Sequence, residues 1–121
     1  MPLYKYFGPE RIDFSEPLTS DVIQNLAAFP QIQILQCCTP IKDTTWDVLN
    51  AEFFSRRPDV QLRLYTFAFD QCDLSFTPLM TNVQCFSADC LMSGTGVEHL
   101  AEMPNLRSLS IGIFNLDNID F

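Results

Sequence analysis

A recurrence along the chain constrains its fold most. Pro30, Pro58 and Pro104 each stand shortly before a short, partly alternating apolar run, at residues 32–37, 60–67 and 106–111. A further run, at residues 83–88, follows Asn82 instead. The first apolar residues of these runs, Ile32, Val60, Val83 and Leu106, recur roughly every 23–28 residues. That is the period of a solenoid, in which each unit has an apolar face that only its neighbours can cover. Runs of this length and alternation read as strands, and connections too long for hairpins make successive strands parallel.

With 121 residues the chain supplies one domain, and 47% hydrophobic against 18% charged residues sets it apart from acidic disordered sequences. Fifteen acidic residues against seven Lys and Arg give a net charge of −8, a field that repels a phosphate backbone. Arg56, Arg57 and Arg63 form the nearest thing to a basic patch, too small to reverse this, so no nucleic-acid partner is expected. The first ten residues lack the apolar run and small-residue cleavage site of a secretory signal. No stretch approaches the roughly 18 apolar residues of a membrane helix, so a soluble, cytoplasmic protein without a membrane partner is expected. The five cysteines, Cys37, Cys38, Cys72, Cys85 and Cys90, are odd in number and read as reduced core thiols rather than a disulfide framework.

Helices are expected between the strands. Val22, Leu26 and Phe29 share a helical face, with Thr19 or Ser20 as cap and Pro30 as stop. Residues 46–54 continue the pattern with Trp46, Leu49 and Phe53 inward, opened by a cap at residues 44–47. Thr95 and Glu98 have capping-box spacing ahead of an inward stripe of Val97, Leu100 and Met103. Around Thr77, Pro78, Leu79 and Met80 only a single turn fits, with Pro78 at its first position.

Leu106, Leu109 and Ile111, followed by Phe114, resemble the core of a leucine-rich repeat, in which leucine-like residues occupy the first, fourth and sixth positions of the strand unit. Val83, Phe86, Ala88 and Leu91 repeat these offsets, as do Ile32, Leu35 and Cys37. In the second unit a start at Val60 would put Arg63 in the core; a start at Leu62 gives Leu62, Tyr65 and Phe67 as the inward set. Pro40, Leu91 and Phe114 stand where the family usually has asparagine, so no regular subclass is assigned. The resemblance implies an α/β, leucine-rich-repeat-like right-handed solenoid, with a concave parallel sheet and helices or irregular segments on the convex face. Residues 19–121 would form about four irregular units, and residues 1–18 an N-terminal capping segment with Ile12, Asp13 and Phe14 as an extra edge strand. Proteins of this family type serve as adaptors, inhibitors, immunity proteins or substrate-recognition parts of ubiquitin ligases.

No constellation for catalysis emerges. His99 is the only histidine, on an expected helix face, and its ordinary reading is an exposed helical residue rather than a general base. Neither Cys37 with Cys38 nor Cys85 with Cys90 has the spacing of a structural zinc site, so no metal or other cofactor is expected. Gly94, Thr95 and Gly96 lack the third glycine and the lysine of a phosphate-binding loop. Asp70, Asp73 and Asp89 near strand ends, with Asp117 and Asp120 after the last strand, read as a solvated rim.

Surface remains. Residues alternating away from the core are Gln33, Gln36 and Cys38 in the first unit, and Arg63, Thr66 and Ala68 in the second. Gln84, Ser87 and Asp89 follow in the third, and Arg107, Ser108, Ser110 and Gly112 in the fourth. Aligned across a parallel sheet they make a polar platform suited to a protein partner, and a non-enzymatic protein-protein interaction module is the leading reading. At the other extreme, Leu109 and Ile111 are expected in the core, while Phe114, Leu116, Ile119 and Phe121 carry apolar area that no later unit covers. A truncated repeat array, a homo-oligomer or a domain-exchanged assembly through this edge is the alternative reading.

Overall fold

The computed structural model describes residues 4–6, 10–16, 18–38, 41–66, 71–90, 93–112 and 115–116. Among the described residues its main sheet has six strands: β1 (Tyr4–Tyr6), β2 (Arg11–Phe14), β3 (Ile34–Cys38), β4 (Gln61–Thr66), β6 (Cys85–Cys90) and β8 (Ser108–Ile111). They lie side by side in chain order, five of them parallel, with β1 antiparallel against β2. A second, parallel sheet joins β5 (Gln71–Asp73), β7 (Ser93–Thr95) and β9 (Asn115–Leu116), again in chain order. With helices packed on the main sheet, the chain is an α/β protein.

Register explains which side chains enter the core. Ile12, Leu35, Leu62, Phe86 and Leu109 stand opposite one another across the five parallel strands, and Phe14, Cys37, Leu64, Ala88 and Ile111 do so two residues further on. Because strand side chains alternate between faces, both rows point to one side. All members up to β6 are buried; at β8 Ile111 is half-buried and Leu109 is 41% exposed. Leu109 is therefore on the expected face but not in the core, because β8 has a strand on one side only among the described residues. The second unit also differs from expectation. Its inward residues are Val60, Leu62 and Leu64, whereas Tyr65 lies on the polar face beside Arg63; Phe67 is outside the described residues. Val60 is buried in the turn that enters β4, so it mimics a strand position without being one.

Segments on the core side follow from local chemistry. Helix α1 (Ser20–Ala27) starts where Thr19 Oγ1 accepts from the Val22 N–H at 3.4 Å, and it buries Ile23 and Leu26. Phe29 is 49% exposed rather than inward, because the helix ends before it, as chains do ahead of a proline. Helix α2 (Asp43–Leu49) begins earlier than expected, with Lys42 at its N-cap and no side-chain cap; Glu16 Oε1 accepts from the Lys42 N–H at 3.3 Å and from the Thr45 hydroxyl, which ties this end to the segment after β2. Its continuation, Asn50–Phe54, widens to a π-turn closed by Ser55 N–H on Asn50 O at 3.1 Å. The wider turn lets adjacent Phe53 and Phe54 both be buried, in edge contact at 5.0 Å.

Val97–Glu102 forms a 3₁₀ turn rather than an α-helix and buries Val97, Leu100 and Met103 as expected. No side chain caps it; Thr95 belongs to β7 instead. Gly96 precedes this turn at φ 75°, and a Cβ there would lie 2.9 Å from the Ser75 nitrogen, so glycine alone meets both constraints. Thr77–Leu79 is a single 3₁₀ turn containing Pro78 in its first positions.

Aromatic rings tie the layers together. Trp46 stacks on Phe76 at 4.0 Å, Phe14 meets Trp46 edge-on at 6.1 Å, and Phe76 meets Phe86 at 6.3 Å. Amides join the connections: Asn50 Oδ1 accepts from the Asn82 N–H at 2.7 Å, and Asn105 Nδ2 donates to Thr81 O at 2.7 Å. No helix among the described residues is long and apolar enough to cross a membrane.

Candidate functional site

The face of the main sheet away from the core carries rows of its own. Asp13, Gln36, Arg63, Ser87 and Ser110 stand in one row across β2, β3, β4, β6 and β8, while Cys38, Tyr65 and Asp89 stand in the next. Strand alternation sends these residues outward, and parallel pairing at equal register brings residues far apart in sequence side by side.

Arg63 sits at the centre. Its Nε donates to Asp89 Oδ2 at 2.7 Å and its Nη1 to Gln36 Oε1 at 3.1 Å, while its guanidinium carbon lies 5.3 Å from the Tyr65 ring centre. Ser87 Oγ donates to the same Asp89 oxygen at 3.4 Å. The Tyr65 hydroxyl donates to Asp13 Oδ2. Burial, reinforced by that bond to a carboxylate, pushes the Tyr65 hydroxyl well above its ordinary range, so it remains a donor. The outcome is a cross-strand platform on which Asp13 and Asp89 are both half-buried. Gly112 leaves Asp89 approachable: a Cβ on that glycine would stand 3.0 Å from Asp89 Oδ1.

Several expected platform residues join this cluster and others do not. Arg63, Ser87, Asp89 and Gln36 come together, but Gln36 and Ser87 are buried beneath the charged groups and offer little direct contact area. Gln33 is exposed before β3, and Gln84 is half-buried before β6, where its carbonyl accepts from the Arg107 and Ser108 N–H groups. Arg107, Ser108 and Ser110 are exposed toward the β8 edge. Thr66 pairs with Cys90 along the backbone, and Ala68 lies outside the described residues. Cys37 is buried, which pushes its thiol up and makes it a poor nucleophile; Cys38 is half-buried on the polar face as expected, and Cys85 is half-buried there too rather than in the core. Leu116 is in β9 opposite Gly94; Phe114, Ile119 and Phe121 lie outside the described residues, as do Asp70, Asp117 and Asp120.

Sequence reasoning missed Asp13 and Tyr65. The signal was present in the strict alternation of Leu62 and Leu64, which puts Tyr65 outward; the shifted second unit obscured it. Asp13 gains its role only through the pairing of β2 with β3.

Elsewhere the charged groups serve the scaffold. Arg57 holds Asp59 through two bonds, at 3.0 and 3.1 Å, and donates to the carbonyls of Phe29 at 2.5 Å and Ile32 at 2.8 Å, clamping the turn of the preceding unit. Asp73 Oδ1 accepts from the Ser75 N–H at 3.0 Å. His99 is bound through Nδ1–H to Glu102 Oε2 at 2.6 Å in an exposed setting. Among the described residues no cluster of three or more His, Cys, Asp or Glu side chains is arranged to hold a metal ion. Comparison with protein-family models, with curated proteins and with solved structures gives no match to this chain.

Proposed function

We propose that the chain is a non-enzymatic protein-binding module, built as an irregular leucine-rich-repeat-like right-handed solenoid whose polar sheet face meets the partner. Parallel strands in chain order, with leucine-like residues recurring at equal register, support the repeat reading. The right hand rests on the strong preference of parallel crossover connections. Residues 1–18 act as the N-terminal cap in this reading, with β2 joining the sheet and β1 closing it.

The observation that carries the function is the interlocked platform of Asp13, Tyr65, Arg63, Gln36 and Asp89. Its members hold one another in place before any partner arrives, which lowers the entropy lost on binding. With a net charge of −8 on the chain, the favoured partner is a protein surface bearing Lys, Arg or amide groups directed at Asp13 and Asp89. Adaptor, inhibitor and immunity roles all use such a surface. Free thiols on Cys37 and Cys85 suit a reducing, cytoplasmic setting.

A photo-crosslinking side chain in place of Gln61, which stands on the polar face, tests the reading in cells. It should trap a defined protein, and Asp89→Asn, which removes the charge but keeps an oxygen for Arg63, should weaken that capture without changing the melting temperature by more than a few degrees. The same crosslinker at Asn25, exposed on α1, should trap nothing comparable. Equal capture from both faces, or none at Gln61, would remove the proposal.

A further inference from the structure

We infer that the edge of β8 left without a neighbouring strand among the described residues pairs with β8 of a second copy of this chain, antiparallel about a two-fold axis at Ser110, so that two main sheets become one. This surface is separate from the polar platform and goes beyond the binding reading. Ser108 N–H donates to Gln84 O at 3.0 Å and Gly112 N–H to Ala88 O at 2.8 Å. Residues at even positions in β8 thus face β6, and ladder alternation turns the N–H and C=O groups of Leu109 and Ile111 to the opposite side. These are the groups an additional strand would bind. Among the described residues after β8, Asn115 and Leu116 pair with β7 in the second sheet rather than with β8.

The sequence of the strand is self-complementary at this edge. An antiparallel pair centred on Ser110 sets Leu109 against Ile111 of the other copy and Ile111 against its Leu109. Each such pair exchanges both backbone bonds, and Ser110 meets Ser110 at a close, non-hydrogen-bonded position. Directly opposed residues share a face, so both leucines and both isoleucines remain on the core side, where the rows through Phe86 and Ala88 already end. Leu109, 41% exposed, then gains a partner. No charged residue or proline interrupts Ser108–Ile111, the devices that ordinarily blunt an edge. The opposite end of the sheet differs: there β1 is only three residues long, carries Lys5 and runs antiparallel. An isologous pair also closes on itself, where head-to-tail pairing of unlike edges would grow without limit.

Sedimentation across a dilution series at low and high salt gives the first reading. A dimer should form and strengthen with salt, because a net charge of −8 on each copy repels at long range while the paired strands carry no charge. Leu109→Lys should raise the dissociation constant about tenfold or more. In the monomer it should lower the melting temperature by only a few degrees. Oxidised Ser110→Cys should give a linked peptide joining the two copies at that residue, and Ser108→Cys, placed opposite Gly112 of the other copy, should not. Three results would each overturn the inference: a dimer indifferent to Leu109→Lys, a monomer whose Leu109 and Ile111 amides are protected from exchange by the chain itself, or a monomer whose amides exchange freely.

Discussion

Leu62 and Leu109 occupy the same row of the sheet and have the same chemistry, yet their surroundings give them different energetic weight. Leu62 is sealed between neighbouring strands, so Leu62→Ala should cost about 2–5 kcal/mol, the range for a buried leucine that leaves a cavity. Leu109→Ala should cost about 1 kcal/mol or less in the monomer, since much of its area is already in water. Urea denaturation of both variants at low protein concentration checks the contrast, and equal losses would contradict it. Gly96 is the other residue with a sharply defined requirement. Gly96→Ala should destabilise by about 1–2 kcal/mol from its left-handed backbone alone, with a further loss from the approach to Ser75. A melting curve unchanged by that substitution would mean that the turn relaxes freely.

Among the secondary elements, two ends depend on single carboxylates. Glu16 ties the start of α2 to the segment after β2 by accepting from the Lys42 N–H and the Thr45 hydroxyl, so Glu16→Ala should cost about 1 kcal/mol and loosen that end, seen as faster amide exchange at Thr45 and Trp46. Retained protection there would show that this end of the helix holds without the tie. At the turn Val97–Glu102, the bond from His99 to Glu102 favours the charged imidazole and raises its pKa above 6.5. A raised folded pKa contributes stability that is complete below the unfolded value and disappears as the pH rises through the folded one. The His99 ring signal should therefore titrate above 6.5, and Glu102→Gln should bring the midpoint back toward 6.5. The opposite sign holds for Glu52, whose carboxylate accepts from the Ser20 hydroxyl and from Gln24 Nε2 at 3.1 Å. Its pKa is lowered, so that contribution is lost only as the pH falls through the folded value.

For the molecule as a whole, β2, β3, β4 and β6 are paired on both sides, but β2 has only the short β1 beyond it, so stability concentrates in β3, β4 and β6. Their amides should exchange slowest, through global unfolding, while β8 in the monomer should exchange by local opening. Hydrogen exchange followed by mass spectrometry at low concentration resolves this gradient, and equal protection from β2 to β8 would refute it. Trp46 is central to the same cooperativity, because its stack on Phe76 and its edge contact with Phe14 couple elements from separate units. The platform on the polar face inherits that rigidity, since Arg63 and Asp89 project from two of the three central strands.

Local pattern alone determined the parallel α/β plan, the apolar sets at Ile32, Leu35 and Cys37 and at Val83, Phe86 and Ala88, and the inward Trp46, Leu49 and Phe53. Those follow from alternation, helical spacing and proline placement, which act over a few residues and are written in the order of the chain. Tertiary pairing decided the rest. Whether Tyr65 faces the core or the solvent depends on the register of β4 against β3, which one displaced residue in the entering turn reverses. The second sheet of β5, β7 and β9 is built from segments of two or three residues, too short to carry a period of their own. Leu109 shows the same division from the other side: its offset marks the face it points to, and only the presence or absence of a neighbouring strand decides whether that face is dry.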